Sequence, residues 1–189
     1  MSFYFKKGCP YKHNNRAMAK KQRSKNPIYY CLISALESPF FVAERNNKIC
    51  GCGWQNTDYF DDFANCVLVQ RNDRPLLAEA CKQLDEYFAG NRTQFDLPLL
   101  LEGTDFQRKA WATLCNIPYG ETVSYGEEAR RMGMPKAVRA VGGANHANPI
   151  AIIVPCHRVI AASGKLCGYG GGVERKVKLL ALEKAHKPQ

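Results

Sequence analysis

The spacing of apolar residues changes twice along this chain, and each change marks a different kind of element. Residues 28–35 are rich in Tyr, Ile and Leu, as a half-buried strand would be. Residues 40–44 and 48–54 predict two more strands, and Arg45-Asn46-Asn47 between them suits a hairpin turn. In the last of these, Cys50 and Cys52 alternate around Gly51, which predicts two packing thiols on one face. Beyond Pro75 the period lengthens. Leu77, Cys81, Leu84 and Phe88 recur at helical spacing, Pro75 fits the first turn, and Gly90 fits the end. Residues 91–102 carry no period and read as a connector.

The second half opens with a capping box, Thr104-Asp105-Phe106-Gln107, followed by an apolar stripe of Phe106, Ala110 and Leu114. Pro118-Tyr119-Gly120 is a turn. A second box, Ser124-Tyr125-Gly126-Glu127, starts a short helix that should stop at Gly133, and Pro135 should start another reaching about Ala144. Two short helices across a Gly-Met turn predict a helix-turn-helix. On the second of them Lys136 and Arg139 share a face, Val138 and Val141 another, and Gly142-Gly143 suggests a close backbone approach. The apolar run 150–154 reads as a strand buried on both faces, and 159–166 as a hairpin turning at Ser163-Gly164. A glycine-rich loop over 168–172 leads to a last helix with Val173, Val177, Leu180 and Lys184 in register, and Glu183 one turn beyond Leu179. The class is α+β. A basic tail (1–27) precedes a small antiparallel sheet with a helix (28–101), then a mainly helical, winged-helix-like part with the helix-turn-helix (102–189).

Composition narrows the function. The apolar fraction of 46% supplies a core, no apolar run approaches the roughly 18 residues of a membrane span, and the N-terminus lacks the apolar core of a secretory signal. A cytoplasmic protein is expected. Nine cysteines, an odd number with no paired C-x-x-C, suit reduced thiols rather than a disulfide framework. Cys9, Cys31 and His13 lack a four-ligand spacing, so neither metal nor cofactor is expected. Of the net charge of +10, eight Lys or Arg fall between Lys6 and Lys25 with no acid among them, and the remainder nearly balances. That run is either a solvated tail or an arm for DNA, unless Met18 is the natural start.

The chemistry concentrates at Pro155-Cys156-His157-Arg158, where a thiol, an imidazole and a guanidinium follow one another. A lone cysteine there would be one more small buried hydrophobe. A neighbouring base and a permanent cation form the setting that lowers a thiol pKa and makes a nucleophile. The glycine-rich loop lacks both the G-x-G-x-x-G register and the P-loop lysine, which excludes nucleotide binding. A nucleophilic thiol could form a hydrolysable thioester or accept an alkyl group as a stable thioether. The residues alone leave both open.

Pro155-Cys156-His157-Arg158-Val159 resembles the active-site motif of the O6-alkylguanine-DNA alkyltransferases, and the similarity spans about 103–183, more weakly back to 28. The resemblance implies that Cys156 accepts the alkyl group. It makes His157 the base acting through a water, Glu183 the carboxylate orienting it, and Asn148 the brace of the turn. Tyr125 becomes the phenol that assists the leaving guanine. It implies a partner too: double-stranded DNA carrying O6-alkylguanine, with O4-methylthymine a second substrate, approached through the minor groove. Arg139 would be the finger that replaces the flipped base, with Lys136, Ala137 and Gly142 beside it. Val159, Tyr169, Gly170, Ala151 and Met134 would line the base pocket, with the Cys156 and Val159 carbonyls reading the exocyclic amine. A monomer is implied, with no membrane partner. The first 27 residues match nothing in the family, and the small Gly170 and Ala151 leave tolerance for bulky alkyl groups open. Competing readings are a non-catalytic alkyltransferase-like lesion binder, a helix-turn-helix transcription factor and a cysteine hydrolase.

Overall fold

The structure, a computed structural model, describes residues 27–54, 67–166 and 168–187. Residues 1–26 of the expected tail, with Cys9 and His13, lie outside them, as does Cys167. Strands β1 (Ile28–Ala35), β2 (Ser38–Arg45) and β3 (Lys48–Trp54) form an antiparallel meander. Asn46 and Asn47 make the β2–β3 turn at φ 54° and 55°, the doubly left-handed turn that matches strand twist. The β1–β2 turn is of the same kind but uses Leu36 and Glu37 at φ 50° and 63°, residues whose preferences gave no hint of it. A short β4 (Leu68–Gln70) adds in parallel beside β1, so the sheet order is β3-β2-β1-β4.

β2 is buried on both faces. Phe40 and Val42 join the main core, whereas Phe41 and Ala43 join a smaller cluster with Ile28, Cys50 and Ala151. A register irregularity at Ala43/Glu44 accompanies a split of the two cysteines expected on one face, Cys50 to the small cluster and Cys52 to the main core. Helix α1 (Pro75–Phe88) lays Leu77, Ala80, Leu84 and Tyr87 on the main core, with Pro75 at its first turn as expected. The Cys31 and Cys81 sulfurs meet 2.9 Å apart where it crosses β1.

The open edge of β3 joins the two halves of the chain. One end is covered by the connector, through Ile49 N to Pro98 O and Leu100 N to Ile49 O, both 2.8 Å. The other end is taken by 149–151, through Cys52 N to Pro149 O (3.0 Å) and Ala151 N to Cys52 O (2.9 Å). The segment leading to Cys156 is thus docked on the N-terminal sheet.

In the C-terminal half, α2 (Asp105–Leu114) begins with the full capping box of Thr104 and Gln107. Strand β5 (Val123–Ser124) runs into α3 (Tyr125–Arg131), and α4 (Val138–His146) completes the helix-turn-helix. Ser124 caps α3, but Glu127 does not reciprocate; its carboxylate pairs with Arg130 and Arg131 instead. α4 starts three residues later than Pro135 suggested, because 134–137 form a turn closed by Ala137 N to Met134 O. Lys136 therefore precedes the helix rather than sharing a face with Arg139. Trp111 Nε1 donates to Ala144 O at 2.9 Å and ties α2 to α4 over Ala110, Ala129, Met132 and Val141. Strand β6 (Val159–Ile160) pairs in parallel with β5, and α5 (Val173–Ala185) closes the fold. Where a 159–166 hairpin is expected, β6 is followed by a short reversal about Ser163-Gly164, closed by Gly164 N to Ala161 O at 2.9 Å and Ala161 N to Lys165 O at 3.2 Å. Among the described residues no helix is long and apolar enough to cross a membrane.

Candidate active site

The run 150–154 is not a strand. Ile150 and Ala151 pair with β3, after which the chain folds back with Ile153 N on Ala151 O and Val154 N on Ile150 O. Ile152 sits at φ 72°, a costly conformation for a β-branched residue. Asn148 holds this turn from within. Its Oδ1 accepts from Ile150 N at 3.0 Å, and its Nδ2 donates to Val154 O at 2.8 Å. The same Nδ2 lies 3.2 Å from the Cys156 sulfur, so the brace also presents an N–H to the thiol.

Cys156 opens a 3-10 turn, Cys156–Arg158, in which all three side chains are buried. His157 has no exposure, and its Nε2 lies 2.8 Å from Glu183 Oε1. Burial pushes the imidazole below its ordinary range, against the pull of Glu183 and with help from Arg158 and Lys176. A neutral ring beside a carboxylate carries its proton on Nε2, which leaves the lone pair on Nδ1. That Nδ1 is buried without a protein partner among the described residues.

Glu183 is the hub. Arg158 grips it through Nε and Nη2 at 2.9 Å each, while Arg158 Nη1 donates to Ile117 O at 2.7 Å. Gly120 N donates to Oε2 at 3.0 Å from a backbone at φ 72°, and a Cβ there would come 3.1 Å from the Glu183 carbonyl. Glycine answers both demands. Tyr87 OH adds a donor to Oε1 at 2.8 Å. Burial raises the carboxyl, but the His157 N–H and Arg158 outweigh it and hold the group at about 2. A fully buried charge needs such company.

The sequence anticipated Cys156, His157, Glu183 and Asn148, and the structure brings them together. It missed three others. Tyr87 stands just outside the stripe read for α1, whose buried face runs through Ala80 and Tyr87 rather than Cys81 and Phe88. Arg158 was read as a cation for the thiol but is committed to Glu183. Lys176 turns inward on α5 and donates from Nζ to Val159 O at 2.6 Å, which leaves that carbonyl one lone pair. The buried face of α5 is Lys176, Leu179 and Glu183, while the expected Val173 and Val177 are 42% and 48% exposed. A Lys and a Glu two turns apart around a leucine were the available signal.

The remaining residues fall into two groups. Tyr125 heads α3 between α4 and the glycine-rich loop: a Cβ on Gly142 or on Gly168 would lie 3.9 Å from its ring or its hydroxyl. Gly142 is thus in ordinary contact and Gly143 faces open space, so neither shows the expected close approach within the protein. Tyr169 stands edge-on to His157 with centroids 6.5 Å apart, next to a half-buried Gly170. Val159 is buried in β6, and Ala151 is packed in the small sheet-side cluster. Arg139, Lys136 and Met134 are exposed around the start of α4, and Ala137 is its half-buried cap.

Fold and site define a class: a two-part α+β protein that joins a helix-turn-helix to a buried cysteine–histidine–glutamate centre. Residues 105–185 match the DNA binding domain, and residues 28–101 the ribonuclease-like domain, of 6-O-methylguanine DNA methyltransferase. The chain belongs to the 6-O-methylguanine DNA methyltransferase family. A methylated-DNA–protein-cysteine methyltransferase of Methanosarcina barkeri is 54% identical over 158 residues, covering 82% of this chain and 97% of that one. One from Mycobacterium bovis is 64% identical over 116 residues, 61% of this chain and 70% of that one. The crystal structure of a Mycobacterium tuberculosis relative in complex with DNA superposes with a TM-score of 0.77 at 46% identity, covering 85% of this chain and 95% of that chain.

Proposed function

We propose that this chain repairs DNA by moving the alkyl group of O6-alkylguanine, chiefly O6-methylguanine, onto Cys156. The observation that carries the residue assignment is the pair of contacts on either side of the consecutive Cys156 and His157. Asn148 Nδ2 faces the sulfur at 3.2 Å, His157 follows Cys156 with a free Nδ1 lone pair, and Glu183 holds its Nε2. This is the nucleophile–base–orienter order of a hydrolase triad, with a water between thiol and imidazole. The Cys156 proton passes through that water to Nδ1, and the sulfur lone pair attacks the alkyl carbon. The carbon–O6 bond breaks, and its electron pair leaves with the guanine while Tyr125 donates to the ring. A positioned acid of this kind contributes about 10²–10⁴-fold. The thioether resists water, so each molecule acts once.

A stacked base cannot reach a thiol that is 5% exposed, so the nucleotide must leave the duplex. Arg139 fills the gap from the minor groove, with Lys136, Ala137 and Gly142 along the same approach; its exposure on the first turn of α4 supports this reading. Tyr169, Gly170, Val159 and Met134 then surround the extruded base. Ala151, expected there too, is left out of that pocket: it is wholly buried in the sheet-side cluster, its N–H goes to Cys52 O, and its carbonyl accepts from Ile153 N and Cys52 Sγ.

Incubation with O6-methylguanine duplex should add one CH₂ to the protein mass, located by peptide mapping on Cys156. Cys156→Ala should bind the same duplex and gain nothing. A methyl on another cysteine, or demethylation by the variant, would remove Cys156 as acceptor, and no gain with intact binding would favour the non-catalytic binder.

A further inference from the structure

One donor to Glu183 comes from the other half of the molecule. Tyr87, in the last turn of α1, reaches across and donates to Oε1 at 2.8 Å, with its oxygen 3.5 Å from His157 Nε2. The side chain has no exposure, and its ring is boxed by Phe88, Phe95 and Tyr119 at centroid distances of 5.5, 5.5 and 6.0 Å. Packing therefore fixes where the hydroxyl points. Oε1 is also the oxygen that takes the His157 N–H at 2.8 Å.

We propose that Tyr87 is a positioning residue for alkyl transfer: by sharing Oε1 it sets how strongly Glu183 draws a proton onto His157. It also makes the N-terminal half a working part of the relay. This rests on His157 acting as the base for Cys156.

The coupling is electrostatic. Each donor to a carboxylate oxygen stabilises its charge and weakens its attraction for the next cation. With the hydroxyl removed and the ring kept, Glu183 would stabilise a protonated His157 more strongly. The imidazole would then charge at a higher pH. Because only the neutral ring can accept the thiol proton, the acid limb of the rate profile would move upward. The charged and titratable groups facing this cluster are Tyr119 from the segment after α2, Arg158 from the 3-10 turn, Lys176 and Glu183 from α5, and Tyr169 from the glycine-rich loop. Burial, then Glu183, pushes both Tyr87 and Tyr119 above the ordinary phenol range, and Glu183 is held at about 2. None of these three titrates between about pH 5 and 8, where a histidine does.

The test is single-turnover alkylation of the full chain by O6-methylguanine duplex across pH, for wild type, Tyr87→Phe, Glu183→Gln and the double variant. Tyr87→Phe should react about three- to tenfold more slowly on the acid limb yet within about twofold on the alkaline plateau. In the Glu183→Gln background it should add nothing, because Tyr87 acts through that carboxylate. A difluorotyrosine at position 87, a stronger donor, should move the limb the other way and covers the case in which phenylalanine disturbs folding. Slowing that is equal at every pH, or a double variant slowed by the product of the single effects, would make Tyr87 a packing residue only. Failure of the wild type to alkylate at all would instead remove the acceptor reading itself, so the two failures are distinguishable.

Discussion

Replacing Arg158 with methionine keeps a long unbranched side chain and removes the cation that grips Glu183. The carboxylate stays buried with no exposure. Two routes give the size of the loss. Deleting one partner of a buried ion pair costs about 3–5 kcal/mol. Separately, holding a carboxyl at about 2 instead of its ordinary 4.5 is worth about 3 kcal/mol near neutral pH, contributed by the His157 N–H and by Arg158 against the burial penalty. The two routes agree within their precision. At about 2–4 °C per kcal/mol for a chain of this size, the melting temperature should fall by about 6–20 °C near pH 7.5. The sign with pH follows from the direction of the shift. A carboxyl depressed in the folded state contributes fully above its unfolded value, and that contribution drains away as pH falls from about 4.5 toward about 2. The gap between wild type and variant should therefore narrow in acid. Thermal unfolding followed by circular dichroism near pH 7.5 and near pH 4 reads both quantities. Equal melting temperatures near neutrality, or a gap that widens in acid, would refute the hub role of Glu183.

Arg139→Ala should slow repair of O6-methylguanine in duplex DNA about tenfold or more, since ~1.4 kcal/mol of lost compensation for extrusion is one decade. Its reaction with free O6-benzylguanine should be nearly unchanged, and equal slowing on both would place Arg139 in the fold or pocket. Glu128 is buried between α3 and α4, where Asn145 Nδ2 donates to its Oε2 at 2.6 Å while Glu128 Oε1 and Asn145 Oδ1 find no partner among the described residues. Burial, partly offset by Asn145, pushes this carboxyl up to about 7, so the wild type should lose up to about 3 kcal/mol as pH rises from about 4.5 through 7. Glu128→Gln can satisfy both lone atoms and should abolish that slope in urea unfolding. A slope unchanged by the substitution would mean that Glu128 is not its source.

How much the sequence revealed depends on the range of the forces involved. β1 to β3, α1 and the Thr104 cap rest on local alternation, period and capping, and these can be read directly. β4 is three residues long and exists only because β1 offers it an edge about forty positions away. The fold-back at 150–154 was hidden because apolar runs suit strands. Ile152 takes a left-handed conformation through the grip of Asn148 and β3, not through its own preference. In the site, the consecutive Cys156 and His157 were legible and Glu183 came with the family resemblance. Tyr87, Lys176 and the true partner of Arg158 were not, since each acts across a long stretch of chain. Periodicity also misjudged α5, whose buried face accepts a Lys and a Glu because each finds a partner inside.

The placement of Glu183 on the last helix has a consequence for biosynthesis. His157 precedes it by 26 residues, which a ribosome adds in about 1–5 s. Until then the nascent chain carries the thiol and the imidazole but not the carboxylate that His157, Tyr87 and Arg158 share. On the proposed reading, the relay is complete only once α5 has packed against the 3-10 turn that carries Cys156 and His157.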